Sequence, residues 1–238
     1  MSKKGNVYLI PMLLGDGNPE QVLPTYITEI IKSTCFFIVE NERTARRFLR
    51  KLYPKFDIDN STFFILNKHT KPSEVNEFLE PAIKGNNIGV ISESGCPAIA
   101  DPGAKIVELA HKRNLTVKPL VGPSSILLAL MASGMNGQSF SFNGYLPVKQ
   151  QERKNKIKYY ESTVKKHNQA QLFIETPYRN NNLLEDFLTT CDPNTMLCIA
   201  TDITLASEQI KTRSIKEWKK NIPNFHKKPT VFILGSVT

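Results

Sequence analysis

The chain has 238 residues, 40% of them hydrophobic and 22% charged, and a formal net charge of +9. That length buries a sizeable core, as one large domain or two modest ones. No apolar run approaches the ~20 residues of a membrane span, and Met1-Ser2-Lys3-Lys4-Gly5 runs into a strand with no secretory-leader pattern, so the expected compartment is the cytoplasm and no membrane partner is expected.

The positive charge implies an anionic partner without naming it: RNA fits, and so does a small polycarboxylate. Basic residues concentrate at 43–50, 149–158, 165–166 and 226–228, and several such clusters on one surface would form a nucleic-acid footprint. Cys35, Cys96, Cys191 and Cys198 include no C-x-x-C pair, and His69, His111, His167 and His226 have no ligand spacing. Neither disulfides nor a metal site is expected.

In chain order, Val7–Pro11 reads as a short apolar strand ending in the turn-rich loop Met12–Asn18, which carries Asp16. Pro24 opens a helix to about Lys32. Cys35–Val39 is the next strand and delivers Glu40-Asn41-Glu42-Arg43 at its end, followed by a basic helix, Thr44–Leu52. A strand at Thr62–Leu66 precedes a helix at about Ser73–Lys84, with Ser73 as N-cap. The apolar run Ile88–Ile91 is a buried strand that breaks into the small, Pro- and Gly-punctuated loop Ser92–Gly103, carrying Glu93 and Asp101. Ala104–Arg113 has helical spacing and Thr116–Leu120 is again a strand. Strands alternating with helices predict a mostly parallel sheet with helices on both faces, and ligands of such sheets sit beyond the strands' carboxyl ends.

Val121-Gly122-Pro123-Ser124-Ser125 then leads into the apolar helix Ile126–Ser133; its amides and hydroxyls could hold a ligand's polar edge or simply cap the helix. Strands at Phe140–Tyr145, Gln171–Glu175, Met196–Asp202, Glu208–Arg213 and Thr230–Leu234, with helices at Glu152–Lys165 and Asn181–Thr189, give a strand-rich second half where antiparallel neighbours are expected. The seam is placed at Val117–Pro123, dividing the chain into 1–117 and 118–238. No G-x-G-x-x-G follows a strand, and G-x-x-x-x-G-K-[ST], H-E-x-x-H and G-x-S-x-G are absent, which disfavours dinucleotide enzymes, hydrolases and metalloenzymes.

Five motifs occur in order: Ile91-Ser92-Glu93-Ser94-Gly95-Cys96-Pro97 with Ala100-Asp101-Pro102-Gly103; Pro119-Leu120-Val121-Gly122-Pro123-Ser124-Ser125; Ala132-Ser133-Gly134; Gly144-Tyr145-Leu146-Pro147; and Glu175-Thr176-Pro177-Tyr178-Arg179. Together they resemble the tetrapyrrole methylase superfamily of S-adenosylmethionine-dependent methyltransferases, and within it the branch that methylates a ribose 2′-hydroxyl of small-subunit ribosomal RNA. The resemblance implies a two-domain α/β fold with a mostly parallel N-terminal sheet and a mixed C-terminal sheet. It also implies a homodimer and S-adenosylmethionine in the cleft between domains. Carried over by position, Pro11, Glu93, Ser94, Gly95, Ile99, Ser124, Ser125, Ile126, Ile174, Ala200, Pro229 and Thr230 would line the cofactor. The chain departs from the branch in its first loop, Ile10–Asp16, in Glu40-Asn41-Glu42-Arg43 after the second strand, and at Glu93, where the branch has Asp.

A ribose hydroxyl must lose a proton as it is methylated, so a positioned acceptor is expected. Glu40 and Asp16, both just past strand ends, are the candidates. Arg43, Tyr178 and Arg179 are the expected substrate contacts, because a guanidinium takes phosphate in bidentate fashion and a tyrosine stacks on a base. The leading expectation is a ribosomal RNA 2′-O-methyltransferase acting on RNA or the small subunit. The alternatives are a methyltransferase of the same fold for a small anionic, tetrapyrrole-like acceptor, and a non-catalytic cofactor-binding protein.

Overall fold

A computed structural model describes residues 3–67 and 69–236. It divides into two units, the first ending at Ser124 and the second beginning at Ser125. The expected division after residue 117 falls inside a strand of the first sheet, and the observed one lies past that strand's carboxyl-end loop.

In the first unit five strands, β1 (Asn6–Ile10), β2 (Phe36–Val39), β3 (Thr62–Ile65), β4 (Ile88–Ile91) and β5 (Thr116–Pro119), form a sheet of order β3-β2-β4-β1-β5. Every pairing in it is parallel, so all five carboxyl ends open on one edge. β4 is buried at all four positions, as a strand covered on both faces must be. On one face α1 (Tyr26–Lys32) and α2 (Glu42–Leu52) pack Ile27, Ile31, Phe48 and Leu49 against Ile10, Phe37, Val39 and Ile91. On the other, α3 (Pro72–Glu77), α4 (Glu80–Ile83) and α5 (Gly103–Lys112) pack Leu79, Ala82, Ile106 and Ala110 against Val7, Ile38, Ile88 and Val90.

One expected helix, Ser73–Lys84, is two. Pro81 has no N–H to give the carbonyl of Glu77, so the helical ladder breaks at Phe78-Leu79. Its start also differs: Lys71 occupies the N-cap and Ser73 lies inside the first turn, after Pro72.

The second unit opens with α6 (Ser125–Ser133) and builds a sheet from β6 (Phe140–Tyr145), β7 (Ala170–Ile174), β8 (Met196–Thr201), β9 (Gln209–Ser214) and β10 (Thr230–Gly235), in the order β6-β7-β10-β8-β9. β6 and β7 are parallel and the other neighbours antiparallel, giving the expected mixed sheet. Helices α7 (Gln150–His167), α8 (Asn180–Thr190) and α9 (Ile215–Lys220) cover one face, with Ile157, Leu184, Phe187 and Trp218 against Phe173, Leu197 and Phe232. A buried ion pair fastens α7 to α8: Arg153 Nε donates to Asp186 Oδ2 at 2.6 Å, and its Nη1 caps the carbonyls of Pro147 and Val148 at 3.1 and 2.7 Å. The sequence reading has no helix at α9, whose signal is a capping box between Ser214 and Glu217. Among the described residues no helix is long and apolar enough to cross a membrane.

Candidate active site at the carboxyl edge of the first sheet

Because β2, β4, β1 and β5 are parallel neighbours, the loops following them meet. The chain leaves β1 toward α1 on one face and β4 toward α5 on the other, the topology that opens a ligand crevice beyond an α/β sheet. The backbone ties these loops together. Met12 N–H donates to the Gly95 carbonyl at 2.8 Å, the Ser94 hydroxyl reaches the Leu13 carbonyl at 3.4 Å, and Cys96 Sγ lies 3.5 Å from the Pro123 carbonyl. Gly95 has a φ of 67° in this knot, and a Cβ there would sit 3.2 Å from Leu14 and 3.4 Å from the Pro123 carbonyl. At Gly122 a Cβ would come within 2.3 Å of the Pro11 ring. The loops after β1, β4 and β5 are therefore packed backbone to backbone, and Pro11, Glu93, Ser94, Gly95 and Ser124 are all drawn from this one set of loops.

Ile99 lies in the adjoining turn with an exposed side chain. Ala98 and Ala100 flank it at φ 68° and 59°, a left-handed backbone that costs about 1–2 kcal/mol per L-residue. Asp101 holds this turn: its Oδ1 accepts the N–H groups of Ala98 at 2.9 Å and Gly103 at 2.6 Å. Its Oδ2 is buried without a hydrogen-bond partner.

Three carboxylates converge here. Glu40, at the end of β2, accepts the Glu93 backbone N–H at 3.4 Å, and the Thr44 hydroxyl hydrogen-bonds the Glu93 side chain. Burial raises the pKa of each group from its ordinary value; for Glu40 the charges of Asp101 and Glu93 add to it. Among the described residues no lysine or arginine forms an ion pair with any of them. A site with uncompensated negative charge and packed, glycine-lined backbone favours a cationic ligand with hydroxyls.

Asp16 takes a different position. Its side chain is 99% exposed and paired with Lys51 at 2.7 Å, and that hydrogen bond lowers its pKa, which makes it a weak proton acceptor. Arg43 is exposed in the first turn of α2, three residues after Glu40 and two after the N-cap Asn41.

In the second unit Ile174, Ala200 and Thr230 fall together at one end of the sheet: Val231 of β10 pairs with Ile174 of β7 on one side and with Ala200 of β8 on the other, and Thr230 pairs with Thr201. Pro229 precedes this strand, and its carbonyl accepts the Asp202 N–H at 3.0 Å. Ser125 and Ile126 begin α6. Arg179 is held by the buried Glu175, its Nε at 2.9 Å and Nη2 at 2.5 Å from Oε1, while Tyr178 is exposed, its ring T-shaped against that of His226. Among the described residues no group of His, Cys, Asp and Glu is arranged to hold a metal ion.

No protein-family model matches the chain. It is 29% identical over 212 residues to a ribosomal RNA small subunit methyltransferase I from Vibrio cholerae, covering 89% of this chain and 69% of that protein. It is also 29% identical over 238 residues to a protein of the same name from Buchnera aphidicola, covering 98% and 79%. Among solved structures, uroporphyrin-III C-methyltransferase from Thermus thermophilus complexed with S-adenosylhomocysteine superposes with a TM-score of 0.58 at 17% identity, covering 98% of both chains. The chain thus has the fold of the tetrapyrrole methylases, as its five motifs implied.

Proposed function

We propose that this chain, a homologue of the small-subunit ribosomal RNA methyltransferases I built on the tetrapyrrole methylase fold, transfers the methyl group of S-adenosylmethionine to a ribose 2′-hydroxyl of small-subunit ribosomal RNA. The observation that carries it is the cluster of Glu40, Glu93 and Asp101, raised in pKa and unmatched by basic side chains, at the sheet edge where the loops after β1, β4 and β5 interlock.

The cofactor fits that edge chemically, since it brings a sulfonium, an ammonium and ribose hydroxyls to a pocket wall of carboxylates and backbone carbonyls. In the first unit Pro11, Glu93, Ser94, Gly95, Ile99 and Ser124 would hold it, with Glu93 accepting from its hydroxyls or ammonium. The resemblance adds Ser125, Ile126, Ile174, Ala200, Pro229 and Thr230 of the second unit. When bound it supplies an activated methyl group, so the protein has chiefly to align the acceptor oxygen and exclude water.

Glu40 accepts the proton that the 2′-hydroxyl loses. Its raised pKa makes it a stronger base than an ordinary carboxylate, and the Glu93 N–H keeps it oriented. Asp16, drawn to Lys51, has no part in this step. Arg43, two residues beyond Asn41, is positioned to take a phosphate next to the target ribose, and Tyr178 offers an exposed ring for stacking; Arg179 braces the Glu175 turn. The chain works in the cytoplasm as a homodimer, which the exposed Met131, Tyr145 and Val148 of the second unit support as surface that association would cover.

The test is incubation with methyl-labelled S-adenosylmethionine and small ribosomal subunits lacking ribose methylation, followed by nucleoside digestion. Label on a single 2′-O-methylnucleoside is expected. Bound cofactor with no label in RNA would overturn the assignment.

A further inference from the structure

Outside the carboxylate cluster, the first unit has a cavity of about 510 Å³ along α2, lined by Arg43, Arg46, Arg47 and Arg50 with Glu42, Ile58 and Asp59. The helix buries Ala45, Phe48 and Leu49 in the core, which turns the arginines outward. Arg46 is committed locally, paired with Glu42 at 2.5 Å and seated over the Phe63 ring at 5.2 Å. Arg43, Arg47 and Arg50 are exposed and, among the described residues, none pairs with a carboxylate. Spaced at i, i+4 and i+7, they share one helix face over ~10 Å. Four arginines against the carboxylates of Glu42 and Asp59 leave the cavity wall with a net positive charge, which attracts an anion.

We propose that this groove is a binding track for the sugar-phosphate backbone of the RNA substrate, leading from Arg50 to Arg43 and so to the loop that holds Glu40. Guanidiniums in a row grip successive phosphates without reading bases, which fixes the register of the strand on the protein. Arg46 supports the track by neutralising Glu42, the carboxylate nearest to Arg43 in the chain. The inference rests on the RNA reading above and adds the surface that the nucleotides flanking the target occupy.

The test is direct binding of small-subunit ribosomal RNA to the full chain across a salt series, for the wild type and for Arg47→Gln/Arg50→Gln. Both positions are exposed and outside the proposed methyl-transfer residues, so the thermal midpoint and the affinity for S-adenosylmethionine are expected to stay at wild-type values, which separates this test from failure to fold. Loss of two phosphate contacts should lower the slope of log affinity against log salt by about 1.4–1.8, at ~0.7 per contact for single strands and ~0.9 for duplex. An unchanged slope and affinity would overturn the proposal even where methyl transfer to RNA is observed. A groove that binds ATP, with that binding abolished and RNA binding retained in the double variant, would overturn it in favour of a small polyphosphate. A lowered slope without any methyl transfer would leave the track standing while the methyltransferase reading fails.

Discussion

Replacing Gly122 with alanine puts the loop architecture of the site to its sharpest test. The new Cβ would lie 2.3 Å from both Cβ and Cγ of Pro11, where ordinary contacts begin near 3.4 Å, so one loop must move by roughly 1 Å. Pro11 cannot rotate aside, because its ring is part of the backbone at the end of β1. Overpacking of this kind costs about 1–3 kcal/mol, and at about 2–4 °C per kcal/mol for a chain of this size the melting temperature should fall by roughly 2–12 °C. Because the loop after β1 is also bonded through Met12 to Gly95, the displacement should reach the proposed cofactor site and weaken S-adenosylmethionine binding by about tenfold or more. Gly137 supplies the control, since a Cβ there meets nothing within 4 Å. Differential scanning fluorimetry and calorimetric titration of both variants would measure this. A Gly122→Ala protein that melts and binds like Gly137→Ala would refute the interlocked-loop account.

Glu40→Gln should lower the rate of methyl transfer with little effect on cofactor affinity, and Glu40→Asp should recover part of it. Since the carboxylate must be ionised to accept a proton and its folded pKa is raised, wild-type activity should climb with pH through a value above the ordinary ~4.3, and the variant should lose that limb. The stability sign is the reverse: a carboxyl raised in the fold is penalised at high pH, so Glu40→Gln should be more stable than wild type at neutral pH, with the gap closing as pH falls below the ordinary glutamate range; urea titrations at several pH values would show it. Asp186→Ala strands the buried Arg153 guanidinium and should cost about 3–5 kcal/mol by denaturant unfolding, whereas breaking an exposed pair such as Lys32–Glu29 should leave the unfolding midpoint near wild type. Ser214→Ala removes the cap of α9 and should cost ~1 kcal/mol in the same assay.

Much of this architecture was legible in the residues, for identifiable reasons. The run Ile88–Ile91 carries no polar side chain because it is covered on both faces, and the apolar run and the strand share the same bounds. The alternation of strands and helices over the first half fixed a parallel sheet, and the ordered motifs fixed the fold. The helix break at Phe78-Leu79 was written in Pro81, and α9 in Ser214 and Glu217, but each signal was outvoted by the neighbouring pattern. The site was less legible. That Glu40 and Glu93 meet depends on β2 and β4 being neighbours although β3 lies between them in the sequence, which is a fact of strand order. The clamp made by Asp101, the tether between Asp16 and Lys51 and the bracing of Arg179 by Glu175 are likewise products of folding; sequence could offer the residue types but not their partners. The basic character of α2 was visible as composition, while its unpaired face and adjoining cavity were not.

The central claim concerns the acceptor, and one competition decides it. Purified protein, labelled S-adenosylmethionine, unmethylated small ribosomal subunits and a tetrapyrrole acceptor such as uroporphyrinogen III would be mixed in one reaction and the label partitioned between RNA and pigment. The account predicts label in the RNA, confined to a ribose 2′-oxygen and reduced by Glu40→Gln. Label in the tetrapyrrole, or in neither while the cofactor is bound, would contradict it.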